Sequence, residues 1–289
     1  LAADRSSELV AVCIGFIVLT TVVLVLRFYA KRFQEGGFFA DDGFLIAAYI
    51  DNLGMCAVGI IMTQVGGVGR HVTYLEENDP AALVGWARCL IAFQLLYFSS
   101  VALPKLSILC LYKRLFNWKG SILVLWRVIF ALTVMTSVAL DGATLFQCRP
   151  LQYWWDRTIE GGTCFDTQAF FHASAIPGCL LDASIMALPV GTIWRLQINM
   201  IKRLALLGIF IVASFGIVAS IVRTSVFFST SAFGDRTWAS IDLVGWSIIE
   251  TGVYIITCCL PHLKPLVSRY TPAGVKSFFK SSVSSATNS

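Results

Sequence analysis

Charge is scarce in this sequence. Of 289 residues only 17 are Asp or Glu and 22 are Lys or Arg, so 13% of the chain is charged, against about 25% in an ordinary soluble domain. Histidine occurs three times, at His71, His172 and His262. These lie in different segments and no Cys/His pair has ligand spacing, so no metal centre is expected. Neither the G-x-G-x-x-G nor the G-x-x-x-x-G-K-[ST] pattern is present, which excludes the common nucleotide-binding loops. Gly66-Gly67-Val68-Gly69-Arg70-His71 is glycine-rich but has no strand-to-helix context. It is expected as a flexible outer loop that exposes His71. The net charge of +5 is modest and dispersed, which argues against a nucleic-acid partner. What the chain has instead is apolar mass: 57% hydrophobic residues and a mean hydropathy of +0.75. A water-soluble globule of this length could not hide so much apolar surface. A soluble enzyme, a disordered chain and a disulfide-rich mini-domain are thereby excluded, and a polytopic membrane protein is left.

A membrane-crossing helix needs roughly 20 mostly apolar residues. Seven stretches qualify, near 8–29, 43–64, 84–112, 123–147, 168–194, 204–228 and 240–261. They are too long for barrel strands and lack alternation, so the expected fold is an all-α bundle of seven transmembrane helices over 1–270. The Ser-rich segment 271–289 is expected as a disordered tail. The chain begins with Leu rather than Met, as a trimmed chain would.

Lys and Arg assign the orientation. Fourteen of them follow the first, third, fifth and seventh spans, for example Arg27, Lys31, Lys113, Arg114, Arg195, Lys202 and Lys264. The opposite loops hold five: Arg5, Arg70, Arg149, Arg157 and Arg236. The N-terminus is therefore expected outside and the C-terminus in the cytoplasm.

Seven of the nine cysteines lie in or beside apolar spans and are expected as small packing residues. Cys148 and Cys164 instead flank an outer loop, where a disulfide between them would hold Tyr153, Trp154 and Trp155 over the mouth of the bundle. Cys89, near the outer end of the third span, is a competing partner. The tryptophans serve either a ligand or the membrane interface.

Ionisable residues at membrane depth are costly and so face the bundle interior in pairs. Sorted by a rise of about 1.5 Å per residue, they form two groups. The inner one is Lys105 with Asp51 and Glu250 as candidate partners. The outer one is Arg223 with Asp141 or Asp242. Asp182 joins Asp51 and Glu250 near mid-membrane. One reading is that these pairs only fix helix register. The other is a polar interior that switches conformation or meets a ligand, with Asp141, Asp182, Arg223, Glu250 and Trp155 as the ligand-binding set. Pro104, Pro177, Pro189 and Pro261 add helix-breaking positions within or at the ends of the third, fifth and seventh spans.

The last span, Ser240 to Pro261, contains no Lys. It could not carry a retinal Schiff base, and no cofactor is expected. The ordered motifs nonetheless resemble the fungal rhodopsin-domain family, which includes the Pth-eleven-like receptor-like proteins. They are Arg27 to Arg32, Asp41-Asp42, Gly67 to His71, Lys105 to Phe116, Cys148-Arg149-Pro150 with Trp155 and Cys164, Asp182 with Leu188-Pro189 and Trp194 to Leu196, then Arg223, Asp242, Glu250 and Cys259-Leu260-Pro261. The resemblance implies a multi-pass protein of a fungal plasma membrane with receptor-like topology. The expected function is to sense an extracellular or lipophilic cue. The expected partners are membrane lipids, an unidentified small-molecule or surface ligand, and a G protein or other cytoplasmic effector. The alternative is a membrane-embedded enzyme of secondary metabolism, such as a cyclase, using Asp182, Glu250 or Asp141 as general acid.

Overall fold

A computed structural model describes residues 4–33, 37–116, 118–195 and 235–270, and between 196 and 234 only residues 214, 218, 221, 222 and 225. The described chain is built from α1 (Ser6–Arg32), α2 (Ala40–Val65), α3 (Val72–Asn78), α4 (Pro80–Phe116), α5 (Ser121–Leu145), β1 (Cys148–Arg149), β2 (Thr163–Cys164), α6 (Thr167–Arg195) and α7 (Arg236–Tyr270). Local chemistry sets several of these ends. The Asp4 carboxylate accepts the backbone N–H of Ser6 at 2.8 Å where α1 begins. Asp42 reaches back to the N–H of Phe39 at 3.1 Å and caps α2. Lys31 and Arg32 close α1 at its negative pole.

Five described helices are long and apolar enough to cross a membrane: α1, α2, α4, α5 and the segment Arg236–Leu263 of α7. α6 spans 29 residues and carries a shorter apolar stretch, Ala173–Pro189. Six of the seven expected spans thus fall on helices. The seventh expectation, 204–228, lies outside the described residues apart from a few isolated positions, as does the tail 271–289. The helices overrun most of the expected spans because polar residues past an apolar run still continue the backbone ladder. α4 runs through Pro104, and α6 through Pro177 and Pro189.

The packing is inverted relative to a soluble protein. α5 turns Val124, Leu125, Val128, Leu132, Met135 and Val138 outward, and α1 does the same with Ile14, Val18, Val22 and Val25. Buried instead are Arg27, Asp41, Asp42, Asn52, Gln94, Lys105, Asp182 and Glu250. With hydrocarbon as solvent, apolar side chains face out at no cost, and polar ones must find partners inside. α2 lies along α4, α7 packs against α1, α4 and α2, and α5 covers α4 and α6. One apolar cluster, with Leu45, Leu109, Trp126 and Cys259, fills the end that the basic residues assign to the cytoplasm. A second, with Leu9, Met55, Phe93 and Val244, fills the outer end.

The close crossing of α2 and α4 at the outer end depends on small residues. A Cβ placed on Gly85 would sit 2.7 Å from the Val65 carbonyl oxygen, and one on Gly66 would sit 2.9 Å from the Trp86 Cα. Both obstacles are backbone atoms and cannot rotate away. A Cβ on Gly245 of α7, by contrast, would meet nothing within 4 Å. Gly85→Ala is expected to destabilise by about 1–3 kcal/mol, the usual cost of overpacking, and Gly245→Ala to leave stability nearly unchanged. Thermal unfolding of the purified variants in detergent checks the contrast.

Candidate functional site

Three polar layers are stacked along the bundle. The middle one is built by α4, α6 and α7. Lys105 follows Pro104 and points inward, where its Nζ lies 2.9 Å from Asp182 Oδ1, with the two side chains only 5% and 9% exposed. The same ammonium lies 3.5 Å from the Gly178 carbonyl and 5.4 Å from the centre of the Tyr254 ring. The Tyr254 hydroxyl donates to Asp182 Oδ2 at 2.7 Å, so one carboxylate joins three helices. The Tyr97 hydroxyl donates to Glu250 Oε2 at 2.9 Å. Tyr97, Lys105, Asp182 and Glu250 share one cavity of about 60 Å³ with Ser137 and Ser174. A second space of about 40 Å³, walled by Lys105, Asp182, Tyr254, Tyr112 and Cys258, abuts the same pair. Each has room for a few waters, well below the roughly 300–1,000 Å³ of a drug-sized ligand site.

This layer corrects an expected pairing. Lys105 bonds Asp182, neither Asp51 nor Glu250. Rise per residue gives depth but not facing. Asn52, the next residue to Asp51, donates to Thr251 of α7 at 2.9 Å, so Asp51 is rotated about 100° away from that contact. Glu250 reaches the right cavity but bonds a tyrosine. Asp141 stands on α5 one turn outward from Ser137, which lines the cavity wall.

The cytoplasmic layer is a site that the sequence reading does not single out. Arg27 is fully buried. Its Nη2 lies 2.7 Å from Asp41 Oδ2 and 2.9 Å from Asp42 Oδ1, and its Nη1 donates to the Cys258 carbonyl at 2.5 Å. Lys31 pairs with the other oxygen of Asp42. Arg114 and His262 each approach Asp41 at 4.0 Å, and Ser107 donates to the Asp41 carbonyl at 2.7 Å. Four helices, α1, α2, α4 and α7, meet here. In the sequence, Arg27 and Lys31 serve to orient the chain and, with Asp41-Asp42, as motifs of the family resemblance, not as a buried cluster. The available signal is their i, i+4 spacing on one helix face, followed by an acidic pair opening the next helix.

The outer layer is covered by the loop between β1 and β2. Cys148 and Cys164 face each other across the antiparallel pair and form a disulfide, as expected, while Cys89 is a free thiol. The loop is seated by Trp154, whose Nε1 donates to the Ala87 carbonyl at 3.1 Å, and by Trp155, whose ring lies 5.5 Å from the Arg88 guanidinium. Beneath it is a cavity of about 290 Å³ whose walls include Trp86, Trp154, Trp155, Arg157 and Arg236. Asp242 meets Arg5 at 3.5 Å; its expected partner Arg223 lies outside the described residues. Nor is His71 an exposed loop residue. It pairs with Asp235, which also accepts the Val72 N–H at 2.9 Å, and stacks on Trp238 at 4.3 Å. The hydroxyl and N–H of Ser6, together with Arg70, hold the Asp4 carboxyl below its usual range.

Of the expected ligand-binding set, the structure brings Asp182 and Glu250 into one chamber, places Asp141 beside it, and puts Trp155 in a separate outer cavity. Removing one partner of a buried ion pair leaves the other unpaired and costs about 3–5 kcal/mol. Arg27→Met is expected to destabilise by that amount, and adding Asp41→Asn in the same chain is expected to recover much of it. Thermal melts of the single and double variants in nanodiscs measure the difference.

Comparison with known proteins agrees with this architecture. The profile of the fungal rhodopsin domain matches residues 26–269. A polyenoic acids biosynthesis gene cluster protein of Metarhizium anisopliae is 31% identical over 264 residues, covering 88% of this chain and 72% of that protein. A SAT4 family membrane protein of Emericella nidulans is 28% identical over 209 residues, covering 72% of this chain and 52% of the relative. A satratoxin biosynthesis cluster protein of Stachybotrys chartarum is 24% identical over 177 residues, covering 60% of this chain and 63% of that one. No solved structure matches. A helical membrane bundle carrying the Arg27, Asp41-Asp42 and Lys105 motifs and matched by that profile over most of its length belongs to the fungal rhodopsin-domain family of multi-pass membrane proteins.

Proposed function

We propose that this protein is a seven-helix, receptor-like protein of the plasma membrane that senses a lipophilic or extracellular cue. The cue meets the outer end of the bundle, the middle layer rearranges, and the cytoplasmic knot changes its exposure to a G protein, another effector or anionic lipid. The observation that carries this reading is the Lys105–Asp182–Tyr254 junction. It ties three helices through one desolvated carboxylate beside a cavity of only about 60 Å³. Such a junction has discrete arrangements, bonded or broken, and a ligand that favours one of them shifts the helices together. Arg223 and Asp242 belong to the same reading as outer elements of the switch.

A second reading has its own support. Two of the three relatives described above are named for biosynthesis clusters, which suits a membrane-embedded enzyme acting on a lipophilic precursor. Asp182 or Glu250 would be the general acid, supported by its tyrosine. The chamber of about 60 Å³ would have to open considerably to admit such a substrate, which is why the receptor reading is preferred.

The two readings diverge on Asp182→Asn. In a fungal host exposed to lipophilic extracts, the variant is expected to reach the membrane at wild-type abundance while its transcriptional response becomes constitutive or is lost. Purified wild-type protein incubated with the same extracts is expected to yield no new product by mass spectrometry. A product that appears with wild type and disappears with Asp182→Asn would establish the enzyme reading in place of the receptor.

A further inference from the structure

The outer cavity differs from the central chamber in size, wall chemistry and rigidity. At about 290 Å³ it lies at the lower edge of small-molecule sites. Its walls come from four elements, and each is pinned independently. The β1–β2 loop is closed by the Cys148–Cys164 disulfide and seated by Trp154 on α4. α3 is tied to the start of α7 by the Val72 N–H on Asp235. α4 is tied to α7 by the Trp86 Nε1 bond to Ser240 Oγ at 2.9 Å. The Thr237 hydroxyl holds the Arg70 carbonyl at 2.8 Å. A cavity braced this way exists before any ligand arrives, which lowers the entropy cost of binding.

The wall chemistry selects the occupant. Trp86 and Trp154 have committed their indole N–H groups to protein acceptors, so their rings offer apolar surface only. Polar recognition falls to Arg157 and Arg236, with Glu76 the one carboxylate on the wall among the described residues. Among the described residues no carboxylate lies within ion-pair distance of Arg157 or Arg236. The Arg157 guanidinium rests 4.8 Å above the Tyr153 ring, and Arg88 adds a third cation behind Trp155. Two guanidiniums facing one carboxylate leave the wall net positive. Guanidinium favours planar anions that accept two hydrogen bonds, and tryptophan faces favour a chain or flat hydrocarbon.

We propose that this cavity binds a singly charged amphipathic anion, its head between Arg157 and Arg236 and its apolar part against Trp86, Trp154 and Trp155. The proposal rests on the receptor reading only for its location at the outer end, and it narrows the cue to one chemical class. A free lipophilic carboxylic acid and an anionic phospholipid share this chemistry.

The test uses the full chain in phosphatidylcholine nanodiscs, with 10-bromodecanoate as a quencher of tryptophan fluorescence. Saturable quenching is expected, at least tenfold tighter than for 10-bromodecanol or 10-bromodecylamine. Arg157→Gln with Arg236→Gln is expected to weaken it at least tenfold, Arg236→Lys much less, and Trp154→Phe to lower its amplitude. Doping the nanodiscs with phosphatidylglycerol separates the sources: competition with the acid identifies a phospholipid headgroup as the occupant, and no competition identifies the free acid. Equal affinity for acid and alcohol, no effect of the Arg substitutions in variants that melt like wild type, or no saturable component would each overturn the proposal. Asp182→Asn is expected to bind the acid normally. Binding with these properties but no cellular response would therefore leave the site standing and remove the receptor reading, whereas a cellular response without binding would do the reverse.

Discussion

The structure turns on the cost of placing charge where there is no water. An isolated ion in a low-dielectric interior is penalised by several kcal/mol even after relaxation, and hydrocarbon outside the bundle offers no relief. Arg27 carries this constraint most plainly. It is fully buried, and its position on α1 is tolerable only because Asp41 and Asp42 open α2 directly opposite and the Cys258 carbonyl of α7 takes a third bond. That requirement fixes which helices are neighbours. In a soluble protein apolar burial would do this work, but here lipid is as good a solvent for leucine as the core is. Specific polar contacts and close backbone crossings such as Gly66 with Gly85 are what remain to specify register.

The same constraint separates what is legible in the sequence from what is not. Long apolar runs identify six helices, five of them to within a few residues at both ends, because crossing a bilayer demands a continuous stretch of one kind; α7 continues nine residues past its expected end. The Cys148–Cys164 bond is legible because both thiols flank one outer loop. The partner of Lys105 is not. Its depth points to Asp51 and Glu250, but an ion pair needs facing as well as depth, and facing depends on helix rotation and neighbour order. Asp182 satisfies both, since α6 packs on the side of α4 that carries Lys105. The cytoplasmic knot is hidden for a related reason. Arg27 and Lys31 fit the positive-inside pattern so well that their second role, as buried counter-ions, has no separate trace in composition. His71 looks exposed because glycines surround it, yet those glycines let the loop fold back so that the ring reaches Asp235 and Trp238.

The three layers differ in how they handle charge, and the difference has functional content. The cytoplasmic knot is over-determined: two basic residues bond two carboxylates, with Arg114 and His262 beside them. Losing a single contact there leaves others in place. In the middle layer Asp182 gives one oxygen to Lys105 and the other to Tyr254. Motion that separates α4 or α7 from Asp182 of α6 lengthens one of these bonds. The small spaces on both sides of the pair give water a place to stand in as a temporary partner, which lowers the barrier to such motion without making the broken state stable. The outer layer has cations on its wall without carboxylates at ion-pair distance among the described residues, so an arriving anion would supply the missing charge. On the receptor reading proposed above, a bundle tightly bonded at the Arg27 end, bonded through one carboxylate in the middle and carrying wall cations at the outer end would be polarised for transmission. On that reading, binding energy gained at the outer end would meet its weakest resistance at Asp182, one layer inward, and its strongest at Arg27, where a displaced α7 would pull directly on the Cys258 carbonyl.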